Sequence, residues 1–381
     1  MYLSFLVCSL MTSCVETTNS AKSIKCDVDN TQSISESALI GDVNIISLQD
    51  SSATISSVNK VICIDSILYI LDDKSQCLYL YKTDGAFLRA ISDRGRASNE
   101  YLNLNDFFID NVNGNINLVS QLEQKMLVYN HDATEFIETQ KLPGKFARME
   151  CVEGGYIGYR GNYRENEGDE NFCIMGRDMR IKDSFSKINS NREYEYHAQT
   201  LPFSTYKGKV YFHNDTGLDI YGIGNADMQP SLNYVLNCGE HNTPSFTRKD
   251  MDDFGKMMEL YNNYVMNIYQ FQETNRYLLF LFLYQGIYYL NKYDKSSGES
   301  ETLTLDYYIG KYFFNFGRVV GMTEDCIYSI VDANLIYAVW MGDETDGKYE
   351  TEYPQQVQRL REKFEKVDPE GNPFLVTYHI R

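Results

Sequence analysis

A recurring strand pattern constrains this chain more than any other feature. Its clearest copy runs Ile64-Asp65-Ser66-Ile67-Leu68-Tyr69-Ile70-Leu71-Asp72 and then Leu78-Tyr79-Leu80-Tyr81-Lys82-Thr83-Asp84-Gly85-Ala86-Phe87-Leu88. It reads as strand, tight turn, strand, with an Asp-Gly turn before the final strand. A second copy follows as Phe108-Ile109-Asp110, Asn115–Val119 and Met126–Ile137, so that Tyr81 recurs as Tyr129. Four-stranded units returning every ~40–50 residues are the mark of a β-propeller.

Six segments share a turn-forming entry followed by an apolar strand: Ile67–Leu71, Asn115–Val119, Gly155–Tyr159, Lys209–Phe212, Arg276–Leu283 and Cys326–Val331. The expected fold is therefore all-β, a six-bladed β-propeller occupying residues 41–381. The longest gap between entries holds Thr247–Val265, where Thr247 and Asp250 have capping-box spacing and Phe254, Met258, Tyr261 and Val265 follow a helical period. This predicts a helical insertion, residues 247–265, between blades four and five. A short helix over Gln355–Lys366, begun by Pro354 and ended by Asp368-Pro369-Glu370-Gly371, is predicted before a last strand at Phe374–Ile380. A ring leaves two free strand edges where its ends meet, so Val43–Leu48 is expected to close it by pairing into the last blade.

The amino terminus reads as an export signal, an apolar run over residues 1–14 that is too short to span a bilayer. Its end, Met11-Thr12-Ser13-Cys14, resembles the bacterial lipobox, which makes Cys14 the lipidated residue and the lipid the chain's membrane contact. Residues 15–40, rich in Ser, Thr and Asn, are expected to form a tether.

Composition narrows the classes of partner. Thirty-five basic against 53 acidic residues give a formal charge of −18, which disfavours nucleic acid in the absence of a basic patch. Among 31 Tyr and 20 Phe against one Trp, most are expected to pack sheet faces. The cysteines downstream of Cys14 (Cys26, Cys63, Cys77, Cys151, Cys173, Cys238, Cys326) contain no C-x-x-C pair. They read mainly as small buried residues, with Cys63–Cys77 or Cys151–Cys173 as open alternatives for a bridge between neighbouring strands.

The segment Ile91-Ser92-Asp93-Arg94-Gly95-Arg96-Ala97-Ser98-Asn99-Glu100-Tyr101 resembles the G-x-G-P-x-E-Y connection of bacterial six-bladed propeller lipoproteins related to the NHL and TolB-like propellers. Gly95, Glu100 and Tyr101 match, while Ala97 and Ser98 stand at the second Gly and the Pro. The resemblance implies an exported, lipid-anchored propeller with no assigned reaction.

Two functions compete. A noncatalytic binding or scaffold protein for a glycan, peptide or partner protein would use exposed tyrosines, and Tyr156, Tyr159 and Tyr163 flank the longest polar loop. The helical insertion is a second candidate surface. A metal-dependent hydrolase or lyase would instead hold a divalent cation such as Ca²⁺ or Mg²⁺ at the channel, with Asp65, Asp106 and Asp110 as ligands. Aspartate at strand ends more often caps a turn, so the leading expectation has no catalytic residue and no cofactor. Glu150 and Glu153 read as solvated loop carboxylates.

Overall fold

The structure, a computed structural model, describes residues 21–49, 53–165, 169–193, 199–214, 216–224, 228–305, 308–309, 312–313, 317–341, 358, 364 and 367–381. Cys14 lies outside them. Six sheets make the ring. Blade one is Val58–Ile64, Ile67–Asp72, Cys77–Lys82 and Phe87–Ile91, and blade two is Asp106–Ile109, Ile116–Ser120, Lys125–Tyr129 and Phe136–Lys141. Blade three is Arg148–Val152, Gly155–Tyr159, Glu170–Gly176 and Ile181–Lys187. Blade four is Phe203–Tyr206, Lys209–His213, Asp219–Ile223 and Pro230–Asn237, and blade five is Ile268–Glu273, Tyr277–Tyr284, Ile287–Asp294 and Ser300–Thr304. Each of the six predicted entries overlaps the second strand of a blade.

The core is six apolar clusters, one in each seam between neighbouring blades. In the strand Ile67–Asp72, Leu68 and Ile70 face the seam with blade six, while Tyr69 and Leu71 face the seam with blade two. Both sheet faces are covered, so the strand reads as a continuous apolar run, and each such side chain contributes roughly 1.5–3 kcal/mol of burial.

Blade six carries the closure. It holds Arg318–Met322, Cys326–Val331 and Phe374–Ile380, with β3 (Ile40–Ser47) pairing antiparallel to the last of these, Leu375 opposite Ile46 and Val376 opposite Ile45. The expected amino-terminal closure is thus formed. The blade-one turn locks against it: Gly85 has φ +87°, and a Cβ there would lie 2.0 Å from the Ser47 carbonyl oxygen.

The predicted tether differs from the structure over residues 21–40. Here β1 (Lys22–Lys25) adds in parallel to the outer strand of blade four, and β2 (Thr31–Ser33) adds in parallel to the outer strand of blade five. Outer blade edges present unpaired amides and carbonyls, and these short strands satisfy them. The chain therefore walks around the rim of blades four, five and six before entering the ring at Val58. Alternation of buried Ile24, Cys26 and Val28 is the sequence trace of this run.

The insertion is present as two helices, α1 (Arg248–Asp252) and α2 (Phe254–Asn263). The capping box between Thr247 and Asp250 forms. Asp253 interrupts the expected single helix, because its extended backbone ends α1 while its carboxylate accepts the Lys256 amide at 3.1 Å and caps α2. Val265 lies beyond the helix in a buried bridge. Of the helix expected at Gln355–Lys366, Gln358 and Phe364 are described, both helical, with Phe364 buried against Phe374. A further helix, α3 (Ala333–Met341), follows the second strand of blade six and was not expected.

Candidate functional site

The inner strands of all six blades surround one pocket of about 440 Å³ in the central channel. Its wall is built from Lys60–Ile64 of blade one, Ile109 and the turn residues Asp110, Asn111 and Gly114 of blade two, and Glu150 and Cys151 of blade three. Phe203–Thr205, Gln270–Gln272 and Gly321–Glu324 supply the other half. The turn residues place the mouth on the face where each inner strand folds back into its second strand. Gly321 permits a close approach of blade six to blade one in the wall, since a Cβ there would lie 2.5 Å from the Val61 carbonyl oxygen.

Charged groups near the channel are largely spoken for. Asp106, fully buried, accepts Lys60 Nζ at 3.0 Å and the Met149 amide at 2.8 Å, and Arg148 lies 3.5 Å away. Arg148 also donates to the Asn105 carbonyl at 2.7 Å and the Asn59 side chain at 2.6 Å. Asp110, 2% exposed, is paired with Arg177 and accepts the Val112 amide at 2.9 Å. Burial raises the Asp110 carboxyl, but the bonds from Arg177 and Val112 outweigh it and hold the group below the ordinary aspartate range.

Glu150 is the exception. Half-buried in the wall, it accepts the Cys151 amide at 2.9 Å. Burial pushes its carboxyl up to about 7, against the pull of Lys60 and with a further push from Asp106 and Asp110. The pocket wall thus holds a carboxyl that titrates near neutrality. The sequence reading of Glu150 as a solvated loop group is corrected by its place in the inner strand Arg148–Val152, whereas Glu153 does sit in an exposed turn. The charged residue amid Met149, Cys151 and Val152 was the available signal. A second polar group in the wall, the Ser204 hydroxyl, is shielded from solvent and finds no hydrogen-bond partner among the described residues.

The three aspartates named for a metal are not brought together. Asp65 is exposed in the blade-one hairpin turn with φ 49°, Asp106 opens the inner strand of blade two, and Asp110 follows that strand's other end. Among the described residues no group of three or more His, Cys, Asp or Glu converges as a cation would require.

The tyrosines divide likewise. Tyr156 packs edge-on to Phe108, lies beneath the Arg177 guanidinium and accepts its hydrogen bond at 3.1 Å. Tyr159 is fully buried, stacked on Phe172 at 4.9 Å between ring centres. Only Tyr163 of the three is exposed, at 49%, and it does not line the channel pocket. Blade packing on both sheet faces explains the two buried rings.

The inter-blade segment is a structural clasp. Glu100 accepts the Ala97 amide at 2.8 Å and crosses Gly95 so closely that a Cβ there would meet its carboxylate at 1.9 Å. Tyr101, fully buried, donates to the Gln76 carbonyl at 2.7 Å and ties the segment to blade one.

A family model described as a domain of unknown function, DUF4934, matches residues 21–379. The chain belongs to the DUF4934 family. A candidate exported protein from Bacteroides fragilis has a solved structure similar to this DUF4934 chain, with a TM-score of 0.72 at 19% identity, covering 95% of this chain and 100% of that one. A DUF4221 family member from Bacteroides vulgatus gives a TM-score of 0.51 at 11% identity, covering 90% and 97%. No curated protein matches. At these identities the likeness speaks for the propeller fold of the DUF4934 chain and not for a reaction. Among the described residues no helix is long and apolar enough to cross a membrane.

Proposed function

We propose that this DUF4934 protein is an exported, lipid-anchored binding protein that holds a ligand, foremost the end of a glycan, in the channel mouth without catalysing its conversion. The observation that carries this reading is the pocket to which all six blades contribute. Its size falls within the ordinary range for small-ligand sites, roughly 300–1,000 Å³. Its wall sets the partly exposed apolar Ile62, Ile64, Ile109 and Met322 beside the Asn111 amide and the Thr205 hydroxyl. Such a surface offers an apolar platform and neutral hydrogen-bonding groups, as a sugar ring requires. The committed ion pairs Lys60–Asp106 and Arg177–Asp110 leave little free charge for a strongly ionic ligand. Export and anchoring rest on the apolar amino-terminal run and the lipobox-like Cys14.

Thr205 is exposed at the pocket wall, so T205W fills the mouth without disturbing the core. Oligosaccharide fragments and short peptides are titrated by calorimetry against both proteins. Saturable sugar binding by wild type that T205W loses supports the reading. Peptide binding lost in the same way would replace the glycan with a peptide. Undiminished binding by T205W would move the site off the channel. A stoichiometric Ca²⁺ or Mg²⁺ ion with a chelator-sensitive melting temperature would return the hydrolase or lyase reading. A second surface, for a partner protein, is favoured by α2, where Phe254 is 73% and Met258 40% exposed.

A further inference from the structure

The parallel pairing of β1 with the outer strand of blade four sets Lys22, Ser23, Ile24 and Lys25 opposite Tyr234, Val235, Leu236 and Asn237. One residue further, the same register sets Cys26 beside Cys238. The register persists there, because the Cys26 amide donates to the Asn237 carbonyl at 2.8 Å. Both cysteines are buried, 3% and 4% exposed, and join one apolar cluster with Ile24 and Leu236, the pair that precedes them on the same sheet face. Neighbouring strands run roughly 4.8 Å apart, inside the span of about 4.4–6.8 Å between Cα atoms that a disulfide accepts.

We infer that Cys26 and Cys238 form a disulfide that staples the amino-terminal strand to blade four. The two thiols are in hydrogen-bonding contact, and this contact together with burial raises the Cys238 thiol far above its ordinary range. Both residues also line a surface depression of about 330 Å³ bordered by Asp27, Asn237 and His241, which gives a reagent access. β1 is a four-residue edge strand, and its fraying exposes either thiol for reaction.

The oxidant is a disulfide-bearing compound, either an oxidised dithiol protein or a small-molecule disulfide. The thiolate of one cysteine attacks the oxidant's disulfide, forming a mixed disulfide and releasing one oxidant sulfur as thiolate. The second cysteine then attacks the protein sulfur of that mixed bond, closing Cys26–Cys238 and releasing the other oxidant sulfur. Two protons and two electrons pass from the protein thiols to the oxidant, which leaves as thiols. An exported chain meets such oxidants, but the chemistry does not depend on the export reading.

The other cysteines lack this arrangement. Cys63 stands opposite Leu68 and Cys77 opposite Asp72, while Cys151 stands opposite Tyr156 and Cys173 opposite Gly158. Neither bridge left open by the sequence therefore joins facing residues. Cys326 contacts His379 at 3.1 Å instead.

The full chain is equilibrated with oxidised glutathione, denatured, alkylated, then reduced and labelled with a second alkylating reagent before peptide mass spectrometry. The expected result is second-reagent labelling confined to Cys26 and Cys238, with a crosslinked peptide pair in the unreduced sample. Reductant should lower the melting temperature of oxidised wild type by about 3–6 °C and leave C26S and C238S unmoved. First-reagent labelling of both residues in protein that still melts cooperatively overturns the inference, as does a crosslink to any other cysteine. Because the oxidant is added, failure here is separate from failure of the export or ligand readings.

Discussion

Replacing Glu150 by glutamine keeps the side chain's shape and removes its titration. In the folded chain the carboxyl sits at about 7, against an ordinary value of 4.5, with burial as the main cause. Between those values the native state keeps the proton while the unfolded state has released it. Stability therefore falls as pH rises through that window, by about 1.4 kcal/mol per pH unit for this group alone. Multiplied over the interval this reaches about 3 kcal/mol, reduced to about 2–3 kcal/mol because the group borders an open channel. With an unfolding entropy scaled to a chain of this length, that is a shift of about 3–4 °C. Calorimetric melting of wild type and E150Q at pH 5 and pH 8 checks it. Near-equal melting at pH 5 and a more stable variant at pH 8 are expected. A gap of equal size at both pH values, or a variant less stable at pH 8, would show that Lys60 holds the carboxylate ionised and would refute the reasoning.

R177A leaves Asp110 buried without its cation and should lower stability by about 2–3 kcal/mol at neutral pH, less than the ~3–5 kcal/mol of a fully buried broken pair because Arg177 is partly exposed. The pair's contribution is present above the unfolded aspartate value and disappears as pH falls through the lowered folded one, so urea midpoints of the two proteins should converge in acid. G85A forces a side chain into the left-handed region and against the Ser47 carbonyl; a loss of about 1–3 kcal/mol is expected, with faster amide exchange in β3 than in the seams far from the closure.

The sequence by itself determined the ring. Runs such as Ile67–Leu71 and Gly155–Tyr159, their turns and their return at near-constant spacing are local properties, because a residue's preference for a covered strand is set by its own side chain and immediate neighbours. The insertion and the closing strand were legible for the same reason: capping chemistry and alternation lie within a few residues of one another. The tertiary structure alone decided the channel. Its wall takes a few residues from each blade, so Glu150, Lys60 and Gln272 become neighbours only when the ring closes, and no window of sequence contains them together. The same closure brings Lys60 of blade one to Asp106 and Arg177 of blade three to Asp110, turning two metal candidates into ion-paired carboxylates. Burial on both blade faces takes Tyr156 and Tyr159 out of solvent. At the rim, the unpaired edges of blades four and five draw residues 22–33 out of an expected tether and set Cys26 beside Cys238. Local chemistry fixes what a strand is, and the ring's long-range contacts fix what it stands next to.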